Sequence, residues 1–146
     1  MGITYADGTP ELKERYREET DTNAPDWVNF RDDCFSVFAL CDGRPIGVIG
    51  GKRHRLSEPL GALEEVFIEI LEVLPEHRRQ GIGTALLERV IALAKETQAA
   101  QVKSWSEEIR TEALALWNKL GFTFYRVDFQ RGDEKDRYGF YVAKRV

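Results

Sequence analysis

Arg78-Arg79-Gln80-Gly81-Ile82-Gly83-Thr84 lies between an apolar strand pattern, Val66 to Leu74, and an amphipathic helix pattern, Ala85 to Thr97. The order is strand, glycine turn, helix. Glycines let a backbone come close to a ligand, and the first amides of a helix have no intrahelical acceptor, so they point at whatever occupies the turn. With the helix dipole they make a seat for phosphate. A Walker loop would end in Gly-Lys-Ser/Thr, and a dinucleotide fingerprint would need a small residue where Leu86 stands; neither is present. Taken alone, the turn reads as a plain connection with its arginines in solvent.

Upstream of the turn, Leu63 to Leu74 predicts a long central strand. Phe67, Glu69, Leu71 and Val73 share one face by period two, and Ile68, Ile70 and Glu72 share the other, so both faces are expected to be covered. Phe35 to Cys41, Asp42-Gly43-Arg44-Pro45 and Ile46 to Arg53 predict a β-hairpin. Gly47, Gly50 and Gly51 thin its second strand, the mark of a bulge or of another segment passing close. Thr9-Pro10-Glu11 predicts a capped helix running to Glu19, and Pro25 to Phe30 a short second one, with the polar loop Thr20-Asp21-Thr22-Asn23 between them.

Downstream, Leu86, Val90, Leu93 and Ala94, flanked by Leu87 and Ile91, recur at helical spacing and should pack on the sheet. Gln101 to Trp105 is the next strand, parallel to the central one because a helix joins them, with a right-handed crossover. Ile109, Ala113, Leu116 and Leu120 predict the inward stripe of a last helix stopped by Gly121. Phe122 to Gln130 and Tyr138 to Lys144 then form a closing hairpin around the charged loop Arg131 to Arg137.

The chain has 146 residues, 42% of them hydrophobic and 11% aromatic, which fits a single globular domain over residues 1–146 with a core that needs no disulfide or metal. No window approaches about 18 uninterrupted apolar residues and no signal pattern is present, so no membrane partner and a cytoplasmic location are expected. Cys34 and Cys41, about 23 Å apart if the strand between them is extended, read as reduced thiols. With only His54 and His77 besides, no metal-ligand spacing appears. A net charge of −4 argues against nucleic acid as a partner. The one basic run in the first half, Arg53-His54-Arg55, is either a solvated strand end or a contact to phosphate or an acidic substrate.

Arg-x-x-Gly-x-Gly following Leu71-x-Val73-x-Pro75-Glu76 closely resembles the acetyl-CoA pyrophosphate loop of the GNAT N-acetyltransferases. Some thirty residues later, Glu112-Ala113-Leu114-Ala115-Leu116-Trp117-Asn118-Lys119-Leu120-Gly121-Phe122 resembles that family's second cofactor segment. The resemblance covers about Phe35 to Phe124. It implies an α/β (α+β) fold: a mixed, mostly antiparallel six- or seven-stranded sheet with helices on both faces and a central, splayed parallel strand pair. It implies acetyl transfer from acetyl-CoA, as acyl-donor co-substrate, to a primary amine of a small molecule or peptide. A catalytically degenerate CoA-binding or sensor domain, and a transferase for a longer acyl-CoA, are the alternatives. Many members pair through their late strands, which leaves a homodimer open.

By the same resemblance, Leu71 and Val73 offer backbone groups to the pantetheine arm, and the amides of Arg79, Gln80, Gly81, Ile82, Gly83 and Thr84 hold the pyrophosphate. Arg78 adds charge or closes the turn. Arg110 stands where many members carry an Asn, and either meets a CoA phosphate or projects into solvent. Trp117 takes the place of the tyrosine proposed to protonate the CoA thiolate, a role an indole cannot fill because its N–H is far too weak an acid. It either walls the thioester sulfur or is a core aromatic. Tyr125, Tyr138, Tyr141 or water remain as proton sources.

Acyl transfer also needs a base. Glu69 and Glu72 are the carboxylates nearest the expected thioester along the chain, with Glu69 the first choice on its apolar surroundings and a paired surface carboxylate as its ordinary reading. The position of the catalytic Glu in some relatives falls at Phe67. Trp27 and Phe30 are either acceptor-pocket residues or sheet anchors. Trp105 and Ser106 lie at the carboxyl end of the next strand, where parallel strands splay, and are expected to contact the acceptor. Neither cysteine is near the loop in sequence, so direct attack in a ternary complex is expected.

Overall fold

The computed structural model describes residues 2–129 and 137–146. One sheet of seven strands is formed by β1 (Ile3–Asp7), β2 (Cys34–Cys41), β3 (Arg44–Arg55), β4 (Glu64–Val73), β5 (Gln101–Glu107), β6 (Thr123–Phe129) and β7 (Arg137–Arg145). Their order is β1-β2-β3-β4-β5-β7-β6, and every pair is antiparallel except β4–β5. Helix α1 (Pro10–Glu19) packs on one face, with a short 3-10 turn at Ala24–Trp27. Helices α2 (Ile82–Glu96) and α3 (Thr111–Lys119) contribute to the main core on the other.

Local chemistry accounts for most boundaries. Thr9 caps α1, its hydroxyl accepting from the Leu12 amide at 3.2 Å. Asp42 and Gly43 both have positive φ (50° and 82°), so the hairpin closes in two residues and β3 starts at Arg44, earlier than the pattern suggested. Helix α2 begins at Ile82, three residues before the apolar periodicity, because Gly81 (φ 78°, ψ 9°) is the cap. The last helix starts at Thr111, which leaves Ile109 outside it and 81% exposed; the stripe predicted to include Ile109 instead buries Trp117. Gly121, at φ 83°, ends the helical turn as expected. Strand β1 has no clear signal in its five residues and exists by pairing with β2. Residues 131–136 of the expected charged loop, and residue 130 at the end of the strand expected before it, lie outside the described residues.

The central strand departs from simple alternation. Gly50 opposes Ile70 and Gly51 opposes Ile68, so Glu69 is an extra residue in β4, a β-bulge. Before it, Val66 and Ile68 face the α2 core; after it, Leu71 and Val73 do, while Ile70 packs toward α1. The expectation that Phe67, Glu69, Leu71 and Val73 share a face therefore fails, because one inserted residue reverses the parity. Gly51 makes the bulge possible: a Cβ there would collide with the Phe67 carbonyl and lie 3.0 Å from Ile68 Cα. At Gly50 the nearest atom, Ile70 Cγ2, would be 3.4 Å away, an ordinary contact.

Gly51→Ala should destabilise the fold by about 2 kcal/mol or more through this backbone overlap, and Gly50→Ala by less than about 1 kcal/mol. Urea denaturation of the two variants measures the contrast, and equal losses would mean that the bulge does not depend on Gly51.

Candidate functional site

Beyond the bulge, β4 and β5 part. Their last pair is Ile68 with Ser104, although β4 runs on to Val73 and β5 to Glu107. The buried Ser104 hydroxyl donates to the Ile68 carbonyl at 2.8 Å and closes the final rung. Leu74 N–H donates to Ile46 O on β3 at 2.9 Å. Successive residues of a strand turn their backbone groups to opposite sides, so those of Val73 and Leu71 point into the gap. These are the residues expected to meet the pantetheine.

The glycine turn sits at the end of this gap. Arg78 Nε donates to the Val73 carbonyl at 2.9 Å, and its guanidinium lies 3.9 Å from Glu112 on α3. Of its two readings, Arg78 closes the turn. None of the amides from Arg79 to Thr84 has an acceptor among the described residues; the Ala85 amide is the next to be bonded, to Gly81 O at 3.0 Å. Arg79 (φ 64°) and Gly81 (φ 78°) are both left-handed, a conformation that gathers successive N–H groups around one concavity. The geometry supplies what phosphate requires: converging donors at the positive end of a 15-residue helix.

The second motif is beside the first. Besides the Glu112–Arg78 pair, a Cβ on Gly83 would come within 3.3 Å of Leu116 Cδ2, so α3 crowds the start of α2. Arg110 stands exposed just before α3. Trp117 is a core aromatic, 3% exposed and edge-on to Phe122 at 4.9 Å, and its indole N–H has no acceptor among the described residues.

On the opposite face of β4, past the bulge, Glu72 is held from two elements. The Tyr16 hydroxyl on α1 donates to Glu72 Oε1 at 2.6 Å, and the Thr22 hydroxyl from the following loop donates to the same oxygen at 2.8 Å. Sequence reasoning missed both donors; Tyr16 follows Leu12 by one helical turn, a signal that marks it only as inward. Glu69 has its ordinary reading, with Lys52 Nζ 3.6 Å from its carboxylate.

Trp105 and Ser106 lie on the parted stretch of β5, opposite Tyr141 and Phe140 of β7, and the Ser106 side chain is buried. Trp27 is half exposed on the short turn that packs against β3 and β4. Phe30 lines a separate groove of about 500 Å³ with Cys34, Phe35 and Leu93, along the second half of α2 rather than at its start. Of the basic run, His54 bonds the buried Glu65 at 2.9 Å and Arg53 reaches the Asp32 carbonyl. Glu65 is seven residues from Glu72 along β4, about 23 Å at 3.3 Å per residue, so this run is a strand end and no part of the turn. Among the described residues no group of three His, Cys, Asp or Glu could hold a metal ion, and no helix is long and apolar enough to cross a membrane.

Residues 4–122 match the pattern of the acetyltransferase (GNAT) family. The chain belongs to that family. An uncharacterised N-acetyltransferase of Methanocaldococcus jannaschii is 28% identical over 102 residues, 66% of this chain and 42% of that protein. The chain thus spans less than half the length of that relative. In shape, this GNAT domain is similar to Arabidopsis thaliana NAA60, solved with a bisubstrate analogue (TM-score 0.81, 18% identity, 99% of both chains) and with acetyl-CoA (TM-score 0.77, 17% identity, 99% of both). It is also similar to a NatC complex bound to Gag peptide and CoA (TM-score 0.78, 17% identity, 100% of this chain and 99% of that one). At these identities the structures share the fold.

The Glu72 clamp leaves a measurable trace. Burial first, then the bond to Glu72 and the negative charges of Glu72 and Glu76, outweigh Arg78 and push the Tyr16 phenol well above its ordinary value. Its contribution to stability is complete below pH about 10, where an unfolded chain would release the proton, and is lost above that by roughly 1.4 kcal/mol per pH unit. Denaturation at rising pH should show this slope in wild type and a shallower one in Tyr16→Phe; parallel curves would mean that the phenol ionises in the folded protein.

Proposed function

We infer that this domain is an N-acetyltransferase that moves an acetyl group from acetyl-CoA to a primary amine of a small molecule or peptide, by direct attack in a ternary complex. The observation that carries the reading is the run of six amides, Arg79 to Thr84, without acceptors among the described residues, beside the gap where β4 leaves β5. Gly81, Ile82, Gly83 and Thr84 at the start of α2, with Arg79 and Gln80 before them, fit a pyrophosphate. The Leu71 and Val73 backbone edge fits the pantetheine arm, and the Val73 amide is the donor assigned to the oxyanion. Arg110, exposed just before α3, is assigned to a CoA phosphate. Trp117, on α3, supports this side from within the main core.

On the acceptor side the roles go to Glu72, Trp27, Trp105 and Ser106. Glu72 is the proton acceptor favoured by the geometry, since Glu69 is committed to Lys52. It takes a proton from the ammonium; the freed lone pair forms the N–C bond, the C–S bond breaks, and the thiolate leaves with the electron pair. The second amine proton passes to solvent, and the thiolate, as a thiol of pKa about 8.5, takes one up. Thiolate is a tolerable leaving group near neutral pH, so the absence of a tyrosine at Trp117 does not block turnover. The same tryptophan, buried and not facing a ligand, favours one other reading, a CoA-binding domain without turnover; an amine panel separates the two.

Acetyl-CoA titrated by calorimetry into wild type should bind with micromolar affinity, and into the Gly81→Asp/Gly83→Asp variant at least tenfold more weakly, roughly 1.4 kcal/mol. The added carboxylates repel the pyrophosphate and occupy its seat. No binding by folded wild type would overturn the acetyltransferase reading.

The cysteines offer a second check. Cys41 faces the α2 core on β2, two strand spacings or about 10 Å from β4, and Cys34 lines the groove beside the second half of α2. Cys34→Ser/Cys41→Ser should keep acetyl transfer within about threefold of wild type, an effect below 1 kcal/mol. Loss of transfer with CoA binding intact would replace direct attack by an acyl-cysteine route.

A further inference from the structure

We propose that Gly139 is a positioning residue that sets acceptor specificity: it lets the Trp105 ring lean away from the gap between β4 and β5, so that the site admits a primary amine whose amine-bearing carbon is branched. The proposal rests on the acetyltransferase reading, which puts the acceptor at this gap, and deepens it by naming the substituent that fits. Three observations carry it. A Cβ on Gly139 would lie 2.7 Å from Trp105 Cζ2, 3.0 Å from Cε2 and 2.6 Å from the Ser106 carbonyl oxygen. The indole Nε1, which is bonded to Cε2, is sealed from solvent, so this is the edge of the ring turned down onto β7. The stretch of β5 that carries Trp105 has β7 on one side and the gap on the other, because pairing with β4 ends at Ser104 whereas pairing with β7 runs on to Glu107.

Parity puts the ring on the acceptor side. Val102, Ser104 and Ser106 are buried, and Val102 belongs to the core beneath α2. Trp105 alternates with them and therefore stands on the opposite face, the one on which Tyr16 of α1 meets Glu72. Directly across from it on β7 is Tyr141, whose ring is covered by Lys103 Nζ at 4.3 Å. The next position of β7 on the same face is Gly139, opposite Glu107, and the indole fills the space that a side chain there would take. A glycine inside a strand costs packing and entropy, and close approach by another group is the usual reason for one.

The lean of the ring fixes how wide the mouth of the gap is, with Trp105 as its wall. A Cβ at 139 would meet the indole on one side and, on the other, the Ser106 carbonyl, which is held in the β5–β7 ladder. The ring is the part that gives way, and the direction left to it is toward β4. An unbranched amine has only hydrogens on its first carbon and still passes a narrowed mouth; a branched one brings a methyl against the indole. One such carbon in a fitted pocket is worth about 10- to 200-fold in specificity.

The test uses three isomeric acceptors of equal charge, n-, sec- and tert-butylamine, with wild type, Gly139→Ala, Trp105→Leu and the double variant. Gly139→Ala should lower kcat/KM for sec-butylamine relative to n-butylamine at least about tenfold, chiefly through KM. Acetyl-CoA affinity should stay unchanged, and the same substitution should leave the ratio unaltered in the Trp105→Leu background. An unchanged ratio in Gly139→Ala, or an equal loss with Leu at 105, overturns the proposal. Should Gly139→Ala fail to fold, Trp105→Leu decides alone: removing the wall should raise the ratio of tert-butylamine to n-butylamine severalfold, and no rise overturns it. If wild type binds acetyl-CoA but acetylates none of the three, the catalytic reading fails separately. Calorimetric titration of sec-butylamine into the CoA-saturated protein then settles the role of Gly139: binding weakened at least about tenfold in Gly139→Ala supports it, while equal binding, or none by wild type, overturns it.

Discussion

The bulge at Glu69 is the constraint on which the site depends. One residue inserted into β4 reverses the alternation of everything after it, so that Leu71 and Val73 face the α2 core and Glu72 faces α1. Without the insertion the parity would place Glu72 against Ile49, Leu86 and their neighbours, where an unpartnered carboxylate would cost several kcal/mol. The same residue marks where β4 leaves β5, because the pairing ends at Ile68, immediately before it. Gap, backbone edge and acid therefore follow from a single irregularity, and Gly51, which has no Cβ to strike the Phe67 carbonyl, permits it.

The turn that follows works through main-chain atoms. Its donors are amides, its shape comes from left-handed Arg79 and Gly81, and its field comes from α2. A helix terminus contributes about 0.3–1 kcal/mol per charge at an exposed surface, and up to about 2 kcal/mol when partly buried, so affinity there must come from several N–H donors acting together. Side chains brace this arrangement from outside: Arg78 ties the turn back to Val73 and across to Glu112, and Leu116 packs against Gly83. This division of labour explains why a short glycine motif can specify a rim of unbonded amides while leaving the side chains beside it free to vary, as Trp117 and Phe67 show.

The elements with a strong local cause were legible in the chain. The Thr9 cap, the Asp42-Gly43 turn, the apolar spacing of α2 and the Gly121 stop each act within a few residues, and each stands where its chemistry requires. Long-range causes were not legible. Strand β1 has no strong pattern and forms because β2 offers it an edge. Strand β7 lies between β5 and β6, an order that no hairpin signal contains. Ile109 fits a helical stripe yet precedes the helix, and is exposed because α3 starts only at Thr111.

In the site the same line separates the two halves. The chain by itself determined the glycine turn and the segment on α3 beside it, because glycine spacing and helix initiation are local properties that survive any rearrangement of the rest. Tertiary structure alone decided which carboxylate is left outside the ion pairs of the described residues. Neighbourhood along the chain favoured Glu69 over Glu72. A bulge set by pairing with β3, Lys52 from that strand, and hydroxyls from residues 56 and 50 positions away committed one and aimed the other. Contacts of that separation arise only when the sheet has folded, and no pattern within a single strand encodes them.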